Sequence, residues 1–211
     1  MKNSNFKIYL VGVPSRLKKI TRHKVEEAIT NTCRVMNYSK PVTVVVFAVQ
    51  PDNVISEIGT MGKALGKEGI SIYVDYSRKD INEILRQHIS AAVYHELGHI
   101  IWENNIGFEK NLLDMMVSEG IASSVEKHFQ PKQDIYYAAK IKNEKTLITK
   151  AKKYFNDENY NYSDWFFGTG KYPKWLGYRI GYIIVQSAKN NTPLPSLIKL
   201  SSKEIFDKSG L

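Results

Sequence analysis

The order of segments along the 211-residue chain predicts an α+β fold, with a small N-terminal β-sheet and a mostly helical C-terminal part. The stretches that read as strands lie before residue 75. Beyond residue 80, apolar residues recur at three- and four-residue intervals. No internal repeat or low-complexity linker interrupts the chain, so one domain, 1–211, is expected, with 1–79 carrying the sheet and 80–211 the helices.

The elements follow in order. Phe6-Lys7-Ile8-Tyr9-Leu10-Val11 alternates like a strand. Between Thr21 and Tyr38, the residues Val25, Ala28, Ile29, Thr32, Val35 and Met36 keep helical spacing, and Pro41 ends that helix. Val42 to Val49 is β-branched enough for a buried strand. Residues 51–69, broken by glycines at 59, 62, 66 and 69, read as loop, and Ile70-Ser71-Ile72-Tyr73-Val74 as a second strand. Asp80, with Glu83 three residues on, forms a candidate capping box for a long helix to about Glu103. Its buried stripe would run through Ile81, Ile84, Leu85, His88, Ala92, His95, His99 and Trp102, and Asn104, Asn105 and Gly107 stop it. Further helices are expected from Asn111 to Phe129, ended by Pro131, and from Asp134 to about Phe155 with a lysine-rich outer face. Residues 156–173 read as an aromatic loop, Trp175 to Lys189 as helix, and the tail from Pro193 as one or two short helical turns.

Composition removes several function classes. The longest apolar run, Val42–Val49, is too short to span a bilayer, and the first residues lack the apolar core of a signal peptide. A single cysteine, Cys33, excludes an intrachain disulfide and a cysteine-rich zinc site, and fits a reducing, cytoplasmic setting. The net charge of +9 is uneven: residues 1–40 and 131–211 are each +7, whereas 51–130 is −5. Lysines dominate the positive charge, arginines number six, and no zinc-finger, RRM or KH signature accompanies them. That pattern describes a solvated basic surface better than a nucleic-acid site. The acidic middle is what a divalent cation prefers.

His95-Glu96-Leu97-Gly98-His99 lies in that acidic middle. On a helix, positions four apart project from one face a turn apart, so both imidazoles can reach one metal ion while Glu96 stands beside it. The pattern would arise in only roughly 1% of shuffled chains of this composition. A catalytic zinc site wants a third protein ligand and an open position. A metzincin pattern fails, because Trp102 and Asn105 occupy its glycine and histidine positions. Cys33 lies too far upstream, in a helix, for a deformylase-like site. A gluzincin pattern places a glutamate on the following helix, and Glu119 supplies it, twenty residues after His99. Its competing reading is an ordinary capped or solvated glutamate. Glu103 lies on the same helix as the histidines, where three ligands in a row surround an ion badly; Glu109, Asp114 and His128 have no supporting pattern. His88 reads as a core or supporting histidine, about 10 Å from His95 along the axis.

Three segments carry a resemblance. They are Ile100-Ile101-Trp102 after HELGH, Leu112-Leu113-Asp114-Met115-Met116-Val117-Ser118-Glu119-Gly120-Ile121-Ala122, and Trp175-Leu176-Gly177-Tyr178-Arg179-Ile180-Gly181-Tyr182. Over roughly residues 40 to 208 the chain resembles the bacterial predicted zinc-dependent proteases of gluzincin type, with a thermolysin-like HExxH-then-Glu arrangement. The resemblance implies a zincin-like metalloprotease domain holding one Zn²⁺, with His95, His99 and Glu119 as ligands and Glu96 as general base. It also implies a donor to the carbonyl oxygen, for which Tyr178 is preferred, then Arg179, with Tyr182 nearby and Gly177 and Gly181 allowing close approach. The rival reading of these tyrosines is plain aromatic packing. The implied substrate is a peptide or protein laid as an extended strand along Ile70–Val74, which would be the edge strand, between the glycine loop and the aromatic loop. Thermolysin's aspartate four residues beyond the third ligand is Ser123 here, so the ligands must be braced differently, by Asp114 or a backbone carbonyl. Two alternatives remain. One is a repressor-cleaving regulatory protease, although such proteins show Glu-Ala-Asn where this chain has Ser-Glu-Gly. The other is a zinc-binding protein without catalysis, against which the intact Glu96 argues.

Overall fold

The alternation of Phe6–Val11 gives one edge of a four-stranded sheet, and the β-branched run that begins at Val42 gives one of its two central strands. The structure, a computed structural model, describes residues 6–211. It is α+β, as the order of segments predicts, and it divides into two compact units, Met1–Ile101 and Trp102–Leu211, the division falling inside a helix.

In the first unit, β1 (Phe6–Val11), α1 (Lys18–Val35) and β2 (Val42–Ala48) form a β-α-β crossover, and β1 and β2 pair in parallel. Helix α1 buries Val25, Ala28, Ile29, Thr32 and Cys33, the face expected from its spacing. Strand β4 (Gly69–Val74) pairs in parallel with β2, and β3 (Thr60–Leu65) pairs antiparallel with β4, giving the order β1-β2-β4-β3. Phe47 and Tyr73, directly opposite in register, stack with ring centroids 5.5 Å apart.

Two expectations change here. The glycine-broken stretch is not loop throughout, because its residues 60–65 form β3; nor is Ile70–Val74 an edge strand, because β3 covers it. Gly66, at φ +62°, turns the chain back so that the two strands pair as a hairpin. Glycine content masked this pairing in the sequence.

A single turn of helix α2 (Ile81–Glu83), a π-helical turn (Ile84–His88) and α3 (Ile89–Ile106) follow. The capping box does not form. Asp80 makes no side-chain cap and instead takes Arg78 at two oxygens, each 2.8 Å away. Helix α3 is buried on nearly every side from Ile89 to Glu103 rather than along one stripe. Gly107, at φ +108°, follows its last residue.

In the second unit, Asn111 caps α4 (Leu112–Phe129), accepting from the Asp114 amide at 3.0 Å. The helix expected over 134–155 is broken. A 3₁₀ turn (Tyr136–Ala138) precedes α5 (Glu144–Ala151), which a second 3₁₀ turn (Lys152–Tyr154) follows. Asn143 is left-handed at φ +60°, and the Ile141 amide bonds the Glu144 carboxylate in place of a helical carbonyl. A π-helical turn (Ser163–Phe167) lies inside the aromatic loop. Helix α6 (Leu176–Lys189) and the short α7 (Leu194–Leu197) and α8 (Ser202–Ser209) complete the chain, α8 opening with a full capping box at Ser201 and Glu204. Trp102 and Asn105, in the last turns of α3, donate to the Leu200 and Ile198 carbonyls, each at 3.0 Å. Among the described residues no helix is long and apolar enough to cross a membrane.

Candidate metal centre

His95 and His99 sit one turn apart on α3, where helical geometry directs both rings to the same side. Their Nε2 atoms are 3.2 Å apart and their ring planes are inclined at 74°. In a tetrahedral zinc site with Zn–N of about 2.0–2.1 Å, two ligand nitrogens stand about 3.3–3.4 Å apart. The imidazole pair therefore has the separation of two ligands on one ion. Glu119 on α4 adds a third ligand atom, and all three lie within 4.8 Å of one another. Two neutral imidazoles and a carboxylate are a donor set suited to zinc, and the residues present fit the ion.

Burial adds an electrostatic argument. His95 is 8% exposed, and Glu96 and Glu119 are each 6% exposed. Buried carboxylates persist only where a partner or a cation compensates them. Glu96 follows His95 directly, and strand β3 passes over it: a methyl group built on Gly62 would overlap Glu96 Oε1 and lie 2.7 Å from its Cγ.

The structure brings His95, His99 and Glu119 together; the other candidates fall elsewhere. Asp114 is engaged at the start of α4, where it accepts from Ser202 Oγ and, at 3.0 Å, from the Lys110 amide. Ser123, four residues past Glu119, is fully buried, and its Oγ has no hydrogen-bond partner among the described residues. His88 lies in the π-helical turn, and Glu103 near the end of α3 is buried. Cys33 is a buried thiol, and burial pushes its pKa up to about 11, which makes it an inert core residue.

Tyr178 and Arg179 open α6. The Tyr178 hydroxyl lies 3.3 Å from that of Tyr162, and its ring packs against Tyr137 at 5.1 Å and Trp175 at 5.4 Å. Arg179 donates Nε to Glu144 Oε1 at 2.7 Å and Nη1 to the Ala138 carbonyl at 2.9 Å. Gly181 meets α4, because a methyl group there would overlap the Met116 carbonyl, whereas Gly177 makes room for the Phe166 ring.

Two tyrosines escaped the sequence reading. Tyr137 donates to Glu126 Oε2, and burial first, then the Glu126 charge, raises its pKa well above the usual phenol value, with Glu119 contributing. Burial, aided by Glu109, Asp114 and Glu119, pushes Tyr160 up to about 12. Both therefore stay protonated, as hydroxyl donors, in the electrostatic neighbourhood of Glu119. Neither lies in a motif, so no sequence signal marked them.

A family model described as Predicted Zn-dependent protease (DUF2268) matches residues 21–207. No curated protein and no solved structure matches the chain.

Proposed function

Because the chain belongs to the predicted Zn-dependent protease family, we propose that it is a zinc metallopeptidase of gluzincin type, with His95, His99 and Glu119 as the ligands. The observation that carries this reading is the convergence of three ligand atoms within 4.8 Å, with a buried glutamate directly following the first histidine.

Zinc, when bound, supplies Lewis acidity, which makes a water nucleophilic near neutral pH and polarises the scissile carbonyl. Glu96 accepts the proton of that water as it attacks and delivers it to the leaving amine. Tyr178 donates its hydroxyl to the carbonyl oxygen as negative charge develops there. Arg179, committed to Glu144 and Ala138, acts on this step by holding the start of α6. The substrate is a peptide or protein segment in extended form. Strand β3, at the sheet edge, takes the place expected for Ile70–Val74, since an edge carries unpaired backbone groups to which a peptide adds as a further strand. The lone buried Cys33 fits a cytoplasmic setting, and peptides rather than nucleic acids are the partners of such a centre.

The test compares wild type with Glu96→Gln for zinc content and for turnover of a fluorescent casein and a peptide library. Zinc should stay at one per chain while turnover falls by about 10²–10⁴-fold. A chelator should silence the wild type. Turnover that survives in Glu96→Gln overturns the peptidase mechanism.

A further inference from the structure

Strand β3 has a face made only of small residues. Thr60, Gly62 and Ala64 alternate with the exposed Met61, Lys63 and Leu65, so the three small residues share the inward side. Intrinsic propensity disfavours this choice, since glycine weakens a strand and an edge is already its least stable member. The compensating gain lies beneath the strand. A methyl group on Gly62 would overlap Glu96 Oε1 and stand 2.7 Å from Cγ and 2.8 Å from Cδ. The whole end of the Glu96 side chain therefore occupies the volume that any other residue at position 62 would fill. With 6% exposure, Glu96 has little solvent to retreat into.

We propose that Gly62 is the positioning residue for Glu96: its missing side chain admits the carboxylate beneath β3 and thereby sets where that carboxylate stands. This rests on Glu96 being the general base, while the contact itself is independent of that role. The three atoms nearest to a side chain at position 62 all belong to Glu96, so a substitution there acts first on the carboxylate. Position 62 thus separates metal binding from proton transfer, which the ligand residues cannot do.

The experiment is a double-mutant cycle on the full chain. Gly62→Ala is introduced into wild type and into Glu96→Ala, and thermal midpoints are read on chelator-stripped protein. The midpoint should fall by about 3 °C in the wild-type background. It should stay level or rise in Glu96→Ala, where the carboxylate is gone and alanine suits a strand better than glycine. Zinc-loaded Gly62→Ala should keep one zinc per chain and lose casein turnover by about 10²-fold, in kcat rather than KM. An equal fall of the midpoint in both backgrounds overturns the proposal, as does unchanged kcat in Gly62→Ala. If wild type cleaves neither casein nor the peptide library, the peptidase reading fails, and the thermal cycle still decides whether Gly62 positions Glu96.

Discussion

Arg179 sits in the segment that suggests a catalytic donor, and in the fold its guanidinium is bound to Glu144 and to the Ala138 carbonyl. Its bond to Glu144 holds that carboxyl below the usual glutamate range, the hydrogen bond being the largest cause. A depressed folded pKa means that the stabilisation is complete above the unfolded value and fades as pH falls through the folded one. The two side chains are 17% and 19% exposed, so solvent screens the pair only in part. Arg179→Met should therefore cost about 1–2 kcal/mol at pH 7, and the gap to wild type should narrow at an acid pH below the unfolded glutamate value of about 4.3, as Glu144 takes up its proton. Thermal unfolding at the two pH values checks this; an equal loss at both would mean that packing, and not charge, is what Arg179 contributes. The pairing of His95 and His99 on one face was legible in the sequence because their spacing is local. Arg179's partner lies thirty-five residues away, and no spacing rule reaches it. Ser123 was recognised as a departure, yet only the fold shows it buried beside no partner among the described residues.

At the level of elements, α4 and α6 meet through glycine. A methyl group on Gly120 would overlap the Gly181 carbonyl and stand 2.9 Å from Val185 Cγ2. Backbone meets backbone here, so neither side can give way by rotating a side chain. Gly120 directly follows Glu119, and Gly181 lies one turn after Tyr178, which ties the turn bearing Glu119 to the start of α6. Gln186 adds a bond to Ser124 at 2.9 Å along the same pair of helices. Gly181→Ala should lower stability by about 2 kcal/mol or more, measured by denaturant unfolding. A variant as stable as wild type would mean that the helices do not approach so closely. Helices α1, α4 and α6 were readable because apolar periodicity runs along each of them, and in α4 the Asn111 cap agrees with it. The hairpin of β3 and the break at Asn143 were not, since glycine and asparagine signals read as loop until a partner strand or a side-chain bond claims the backbone.

For the molecule as a whole, the net charge of +9 conceals a buried acidic set. Glu96, Glu103, Glu119 and Glu126 are all buried, within the stretch of the chain that is net negative. Zinc held by His95, His99 and Glu119 should add folding stability through linkage, about 2.7 kcal/mol when free zinc is a hundredfold above Kd. For a chain of this size that is a rise of about 5–10 °C in the thermal midpoint. Glu119→Ala should remove most of this zinc-dependent rise; an undiminished rise would place the third ligand elsewhere. By itself the sequence determined the α+β order, the face shared by His95 and His99, and the glutamate on the next helix, because each follows from spacing along a short stretch of chain. Tertiary structure alone decided that β3 is an edge strand, that Gly62 lies over Glu96, that Tyr137 reaches Glu126, and that Arg179 bonds to Glu144. Those depend on residues brought together from distant positions, and sequence spacing carries no record of such contacts.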